Sequence, residues 1–397
     1  MKEYIEKKIV GYGLHSNIAS IISNIVMGNV CVSLLLVICI KKILSVLHLI
    51  NKKKLPDFFN AVEILRKASN KPIGFHDISH FSYNLLSNFD LIIIIPAYNV
   101  EDTIERAVNS TINQITDFRV LSIVVNDGST DSTKKILHKY TNNSKVFVLN
   151  QENKGLSGAR NTALDFIKKQ AKYIFFLDAD DYLSSVYAVD KLLNKAVEIN
   201  ADIVEGSFNV IKGSKVELNQ MPDQYTEKGI DSQLKMVPYP WGKVMKLSLW
   251  ENVFFPEQYW FEDTMMTFLI YPKVKVYASV SDVIYNYIIN EKGITLSSKG
   301  KVKNLDTLYI VNFLLNEVKQ PISPFLKNVI VFQLTRRMSR ILPLDNIIQE
   351  ASFVYSKQMI ENNLLNYKGL KLKNWLLLKI FEDEDFYLWK LVVLLRI

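Results

Sequence analysis

The sequence predicts an α/β protein built on a mostly parallel, doubly wound sheet, with an apolar helical extension before it and a helical region after it. Three observations carry this. Between residues 91 and 178, short β-branched apolar runs alternate with helix-patterned stretches four times. Each run stops in a cluster of Pro, Asn, Asp, Gly or Lys. Outside that region the chemistry changes: no Asp, Glu, Lys or Arg occurs from Ile9 to Ile40, and the last 24 residues are again rich in apolar side chains. The boundaries that follow are 1–89, 90–300 and 301–397.

In the N-terminal part, "IISNIVMGNVCVSLLLVICI" (21–40) has about the 20 residues a bilayer span needs. Lys41, Lys42 and the "NKKK" at 51–54 follow it, which places the C-terminal side in the cytoplasm if it spans. Asn24, Gly28 and Asn29 leave two other readings open, an interfacial helix and a helix packed on protein. The two cysteines, Cys31 and Cys39, offer neither a disulfide framework nor a zinc spacing. "DFFNAVEILRKA" (57–68) has helical apolar spacing at Phe58, Val62, Ile64 and Leu65 and reads as a docked amphipathic helix.

The central region reads strand by strand. "DLIIIIPAYN" is a buried strand, followed by a helix in "VEDTIERAVNSTINQ". "VLSIVVNDGS", "KVFVLN" and "KYIFFLD" are further strands; "TDSTKKILHKYTN" and "GLSGARNTALDFIKKQ" are the helices between them. In such sheets ligands bind outside the carboxyl ends of the strands. The polar residues at those ends are Pro96 to Asn99, Asn126 to Ser129, Gln151 to Gly155, and Asp178 to Asp181.

Net charge is +8, with 48 Lys and Arg against 40 Asp and Glu. Residues 1–90 and 301–397 each carry +5, while 91–300 carries −2. A nucleic-acid enzyme concentrates positive charge at its site; here it lies on the flanks, as suits an anionic membrane surface.

The blocks "IIIIPAYNVEDTIERAVNSTINQ", "VVNDGSTDST", "NQENKGLSGARNTAL", "YIFFLDADDYL" and "PWGKVMKLSLWENVFFPEQYWFEDTMMTF" resemble, in order, those of the family 2 glycosyltransferases, over roughly residues 90–290. The resemblance implies the GT-A nucleotide-sugar-binding fold and inverting transfer from a nucleotide-diphosphate sugar, UDP-linked by first choice. It assigns Pro96, Ala97, Tyr98, Asn99 and Glu101 to the base and ribose, and Asp127 to the base N–H. Asn126 stands where the family often has a second acid, and its amide both donates and accepts. Asp178 would reach the ribose and, with Asp180, hold Mn²⁺ or Mg²⁺; Asp181 is a helix cap or a supporting group. Lys154, Gly155 and Arg160 would serve the nucleotide at a helix N-terminus. None of the five histidines falls in the last block, so a carboxylate is the expected base. By resemblance this is the pair Glu262 and Asp263, Asp263 first. Trp241 would stack on a sugar or sit in the core, and Gly242 and Lys243 would shape the same side.

The resemblance further implies a glycan or polyprenyl-linked acceptor in surface-polysaccharide assembly at the cytoplasmic face of the membrane. No Gln-x-x-Arg-Trp motif follows the Glu-Asp pair ("QLTRR" at 333–337 lacks the Trp), so single addition is expected. A nucleotidyltransferase would want a Gly-rich basic loop after the first strand, where "PAYNVED" stands. An inactive scaffold would have no need of the intact acids. The tail "NWLLLKIFEDEDFYLWKLVVLLRI" is read either as interfacial or as helices packed on the protein.

Overall fold

The computed structural model describes residues 54–69 and 88–395, apart from 169, 228–232, 234, 291, 292, 294–297 and 365. The segment 21–40 lies outside them. Among the described residues no helix is long and apolar enough to cross a membrane.

One compact unit falls between residues 72 and 297. Its elements are β1 (Phe89–Ala97), α2 (Ile104–Ile112), β2 (Val120–Asp127), α3 (Thr133–His138), β3 (Val146–Gln151), α4 (Gly155–Ile167), β4 (Ala171–Phe176), β5 (Tyr182–Leu183), α5 (Ala188–Glu198), β6 (Ile203–Lys212), β7 (Lys215–Asn219), β8 (Gln224–Glu227), β9 (Lys243–Lys246) and β10 (Val276–Ile288). The strands form one sheet in the order β3-β2-β1-β4-β9-β6-β10-β5, with β7 on β6 and β8 on β10. β1 to β4 pair in parallel, as the alternation requires. β9 is inserted antiparallel between β4 and β6.

β1 is buried from Leu91 to Ala97, because it lies between β2 and β4 and helices cover both faces. Pro96 is tolerated there because pairing with β4 ends at Ile94, while pairing with β2 runs on to Ala97. α2 turns Ile104, Ala107, Val108 and Thr111 inward at helical spacing. The chain goes from β1 to β2 and β3 on one side and returns to β4 on the other. This switch opens a crevice above the carboxyl ends of β1, β2 and β4.

The second unit combines the segment before 71 with that after 298. Here α1 (Phe58–Ala68), capped by Asp57, packs with α6 (Asp306–Glu317) and α8 (Asn346–Asn363). Phe58 stacks on Tyr355 with centroids 5.9 Å apart, and the Tyr309 hydroxyl donates to the Leu65 carbonyl at 2.9 Å. α7 (Pro324–Thr335), α9 (Leu372–Glu382) and α10 (Phe386–Leu395) complete it. The apolar runs of the tail are packed: Phe381, Phe386 and Trp389 surround Phe353, and the Trp389 indole donates to the Leu334 carbonyl at 3.2 Å. Among the described residues of the tail, Trp375 and Tyr387 are the exposed large apolar side chains.

Candidate functional site

Two loops at the crevice are stitched together. Asn99 adopts φ +51°, a left-handed conformation that Asn tolerates better than most residues. Its Oδ1 accepts from the Thr130 N–H at 2.8 Å, and its own N–H donates to Ser129 Oγ at 3.1 Å. Glu101 accepts from the Ser132 N–H at 2.8 Å, and Asp131 accepts from the Glu101 and Thr133 N–H groups. Tyr98 is thereby held out with 48% of its surface exposed, while Pro96 and Ala97 are buried below it.

The second loop, after β2, is tied by hydrogen bonds to the start of α4. Asn126 accepts from the Ser129 N–H and donates to Asn150 at 2.8 Å. Buried Asp127 accepts from Gln151 at 2.6 Å and from the Lys154 N–H at 2.8 Å, which fixes the start of α4. Gly128 has φ +71°, and a Cβ there would lie 2.9 Å from the Asn153 nitrogen. Glycine is required at that point.

α4 then carries the centre of the site. Arg160 is fully buried; its guanidinium donates to Asp178 and to Glu262, each at 2.7 Å. It also lies over the Phe255 ring at 5.0 Å. Burial works against its charge, but Asp178 and Glu262 outweigh that and hold the guanidinium above its ordinary value. The next residue, Asn161, grips Phe255 from both sides, accepting its N–H at 2.7 Å and donating to its carbonyl at 2.9 Å. One helix therefore positions both the acids after β4 and the segment leading to Glu262.

The acids after β4 do not continue the strand. β4 ends at Phe176, and the Asp181 N–H donates to the Asp178 carbonyl at 3.0 Å, closing a turn. The turn, not strand alternation, sets the directions of Asp178 and Asp180. Arg106 braces it through the Asp180 carbonyl at 2.6 Å, with its guanidinium over the Tyr182 ring at 4.7 Å. Asp181 caps no helix. It is wholly buried, accepts from the Tyr285 hydroxyl and the Ile288 N–H, both at 2.7 Å, and is raised to about 9 by burial and by the charges of Asp178 and Asp180. Burial and the Asp178 charge also raise Asp180.

On the other side, Glu262 and Asp263 sit in a short 3₁₀ turn, Glu262–Thr264, entered through Phe261 at φ +65°. A bulky residue in the left-handed region stores strain and is found where surroundings enforce it. Glu262 is buried and raised chiefly by that burial; Arg160 opposes the rise and Asp263 adds to it. Trp241 is 6% exposed and takes the core position: the rings of Tyr239, Tyr285 and Tyr287 lie within 15° of parallel to it. Lys243 is equally buried and pairs with Glu205 at 2.6 Å.

The structure thus links Asn99, Glu101, Asn126, Asp127, Lys154, Arg160, Asp178 and Glu262 through consecutive hydrogen bonds and one helix. Gly155 opens that helix at φ +75°. Arg106, Asn161 and Tyr285 are the positioning side chains that sequence reasoning missed. For Asn161 the one signal was its place beside Arg160 in "GARNTA".

Residues 92–254 match the sequence profile of glycosyl transferase family 2. The chain is 33% identical over 218 residues to glycosyltransferase GlyA of Streptococcus pneumoniae, covering 51% of this chain and 30% of that protein. It is 30% identical over 220 residues to the glycosyltransferase EpsJ of Bacillus subtilis, covering 51% and 62%. With the poly(ribitol-phosphate) beta-glucosyltransferase of Bacillus spizizenii it shares 32% over 211 residues, covering 51% and 32%. The chain spans less than two thirds of each of these relatives. A structure of Staphylococcus aureus TarS 1–349 with UDP-GlcNAc is 20% identical, covers 70% of this chain and 95% of that chain, and superposes with a TM-score of 0.48.

Proposed function

We propose, from the premise that residues 92–254 belong to glycosyltransferase family 2, that the chain transfers a sugar with inversion from a nucleotide-diphosphate donor to a hydroxyl of a surface-glycan or lipid-linked acceptor. The observation that carries this is the buried Arg160, which joins Asp178, 18 residues along the chain, to Glu262, 102 residues along. It gathers a leaving-group end and a proton-accepting end into one site.

In this reading Tyr98 and the Asn99–Asp131 loops receive the base and ribose, and Asp127 keeps one carboxylate oxygen for a base N–H. UDP is the first nucleotide to test. Asp263, half-buried and next to the fixed Glu262, takes the proton from the acceptor hydroxyl as it attacks opposite the leaving diphosphate. Glu262 keeps the guanidinium in place.

A divalent cation fits the donor set at the turn. Asp178, Asp180 and Asp181 are gathered there; burial first, and then neighbouring carboxylate charge, raises Asp180 and Asp181. Among the described residues no group of three His, Cys, Asp or Glu side chains could form an all-protein cage. Asp178 and Asp180 would hold Mn²⁺ or Mg²⁺ together with diphosphate oxygens. A cation held there would supply positive charge against the departing diphosphate.

A cell-surface polymer as acceptor is supported by the names of relatives, among them a poly(ribitol-phosphate) glucosyltransferase and minor teichoic acid biosynthesis proteins. The cytoplasmic membrane face, as the place of action, is supported by the positive flanks. The test is nucleotide release from a panel of nucleotide sugars with Mn²⁺. Asp263→Asn should lower turnover about 10²–10⁴-fold while nucleotide binding survives. Full turnover in that variant removes Asp263 as the base, and no nucleotide binding by the unaltered chain overturns the whole reading.

A further inference from the structure

Tyr239, Trp241 and Tyr287 lie face to face. The planes of the two tyrosines are each 9° from that of the indole, with centroids 4.9 and 5.5 Å away. Trp241 is buried, but Tyr239 and Tyr287 are only half-buried. Neither phenol has a hydrogen-bond partner among the described residues, although inward-facing tyrosines ordinarily find one.

The stack is fastened to the acid turn. Tyr285, whose ring lies 4.6 Å from Trp241, accepts the Asp178 N–H at 3.2 Å and donates to Asp181 at 2.7 Å. One side chain therefore sets the position of the rings relative to Asp178 and Asp180. Tyr287 is close enough to feel those acids: after burial, the charges of Asp181, Asp180 and Asp178 help push its hydroxyl up to about 12.

The other end is also held. Residues 237–240 form no helix or strand, yet both backbone polar groups of Val237 are clamped. Glu205 accepts its N–H at 3.2 Å; Lys243 donates to its carbonyl at 2.6 Å, and the Tyr271 hydroxyl donates to the same carbonyl. Glu205 and Lys243 are each 1% exposed. A buried ion pair is a poor source of stability, but it fixes position. What it fixes here is the backbone two residues before Tyr239.

We propose that Tyr239 and Tyr287, backed by Trp241, form the wall on which the ring of the transferred sugar stacks. This rests on the glycosyltransferase reading above. A sugar joined to a diphosphate held at Asp178 and Asp180 lies directly beside the turn that carries the stack. Its apolar C–H face is weakly positive and suits the negative face of an aromatic ring. Its hydroxyls are partners for the two phenols. Specificity for the sugar, as distinct from the nucleotide, then resides in these two tyrosines.

The test uses calorimetric affinities of UDP and GDP, and of UDP- and GDP-linked hexoses and N-acetylhexosamines, with Mn²⁺. The variants are Tyr239→Ala, Tyr287→Ala and the ring-preserving Tyr239→Phe and Tyr287→Phe, each checked by thermal melt. For the sugar nucleotide that binds, the Ala variants should raise the ratio of its Kd to that of the free nucleotide about three- to tenfold, the range expected for a lost aromatic contact. The Phe variants should raise it less, and free nucleotide should bind within about twofold of the unaltered chain, there being no contact to lose. An unchanged ratio in both Ala variants overturns the wall, as does equal weakening of free and sugar-linked nucleotide. If the Ala variants fail to fold, Tyr239→Leu and Tyr287→Leu, which keep bulk but remove the aromatic face, decide: an unchanged ratio in both overturns the wall. An unaltered chain that binds no nucleotide fails at the earlier step, and that result is separately visible.

Discussion

Arg160→Met tests the centre of the site. Methionine keeps an apolar stem against Phe255 and Phe176 but removes the cation between Asp178 and Glu262. Those carboxylates are 25% and 11% exposed, so neither is rehydrated without movement. Removing one partner of a buried pair costs about 3–5 kcal/mol. Asp178 has some solvent, which favours the lower half of that range. For a unit of this size each kcal/mol lowers Tm by about 2–4 °C, so the transition of the sheet unit should fall by roughly 6–16 °C.

Calorimetry on the unaltered chain, Arg160→Met, Glu262→Gln and the double variant isolates the interaction. With the Glu262 charge already gone, losing Arg160 should cost less, giving a coupling of at least about 1 kcal/mol. The pH dependence has a fixed sign. Glu262 is raised in the folded state, mainly by burial, and Arg160 restrains the rise. Without Arg160 the folded state binds its proton more tightly than the unfolded chain does. The deficit of the variant should therefore shrink on acidification and grow as pH rises through the folded value. A Tm within about 2 °C of the unaltered chain, or strict additivity in the double variant, refutes the bridge.

Asn161→Leu removes the side-chain partner of both the Phe255 N–H and its carbonyl, each about 1–3 kcal/mol when left buried and unmade, so urea denaturation should show a loss of roughly 2–6 kcal/mol with reduced turnover. Gly128→Ala combines a left-handed backbone with a clash at Asn153; nucleotide affinity should fall at least about tenfold, some 1.4 kcal/mol, within the usual cost of such strain, as read by calorimetry. Asp202 is held below its ordinary value: burial opposes this, but Lys246 and the Lys275 and Val276 N–H groups prevail. Its contribution is present above about pH 4 and is lost as pH falls through the depressed folded value, so the stability gap between the unaltered chain and Asp202→Asn should close in acid, as followed by circular dichroism.

Much of the first half of the sheet could be read in advance because each strand carries its own signal. β1, β2 and β4 are buried on both faces and appear as unbroken apolar runs. The second half was silent for the opposite reason. β9 is four residues long, and its Lys243 faces the interior only because Glu205 on β6 meets it there. A lysine reads as surface until its partner is known. The turn at 178–181 was silent in the same way. Alternation describes a strand, and here the strand had ended at Phe176, with Asp181 drawn inward by Tyr285 and the Ile288 N–H.

The site was legible as a set of strand ends but not as a mechanism of support, because support comes from pairs far apart in sequence. Arg160 and Asn161 are adjacent on one helix, yet their partners lie 18 to 102 residues away, after β4 and before the Glu262 turn. The strain at Phe261 follows from this arrangement. Phe255 is fixed by Asn161 and Glu262 by Arg160, so the residues between must close a set distance, and the left-handed turn at Phe261 lies within that closure. A helix that holds the donor acids at one edge and this strained segment at the other makes their separation a property of the fold. In the glycosyltransferase reading proposed above, the two ends of the reaction are then aligned before any substrate arrives.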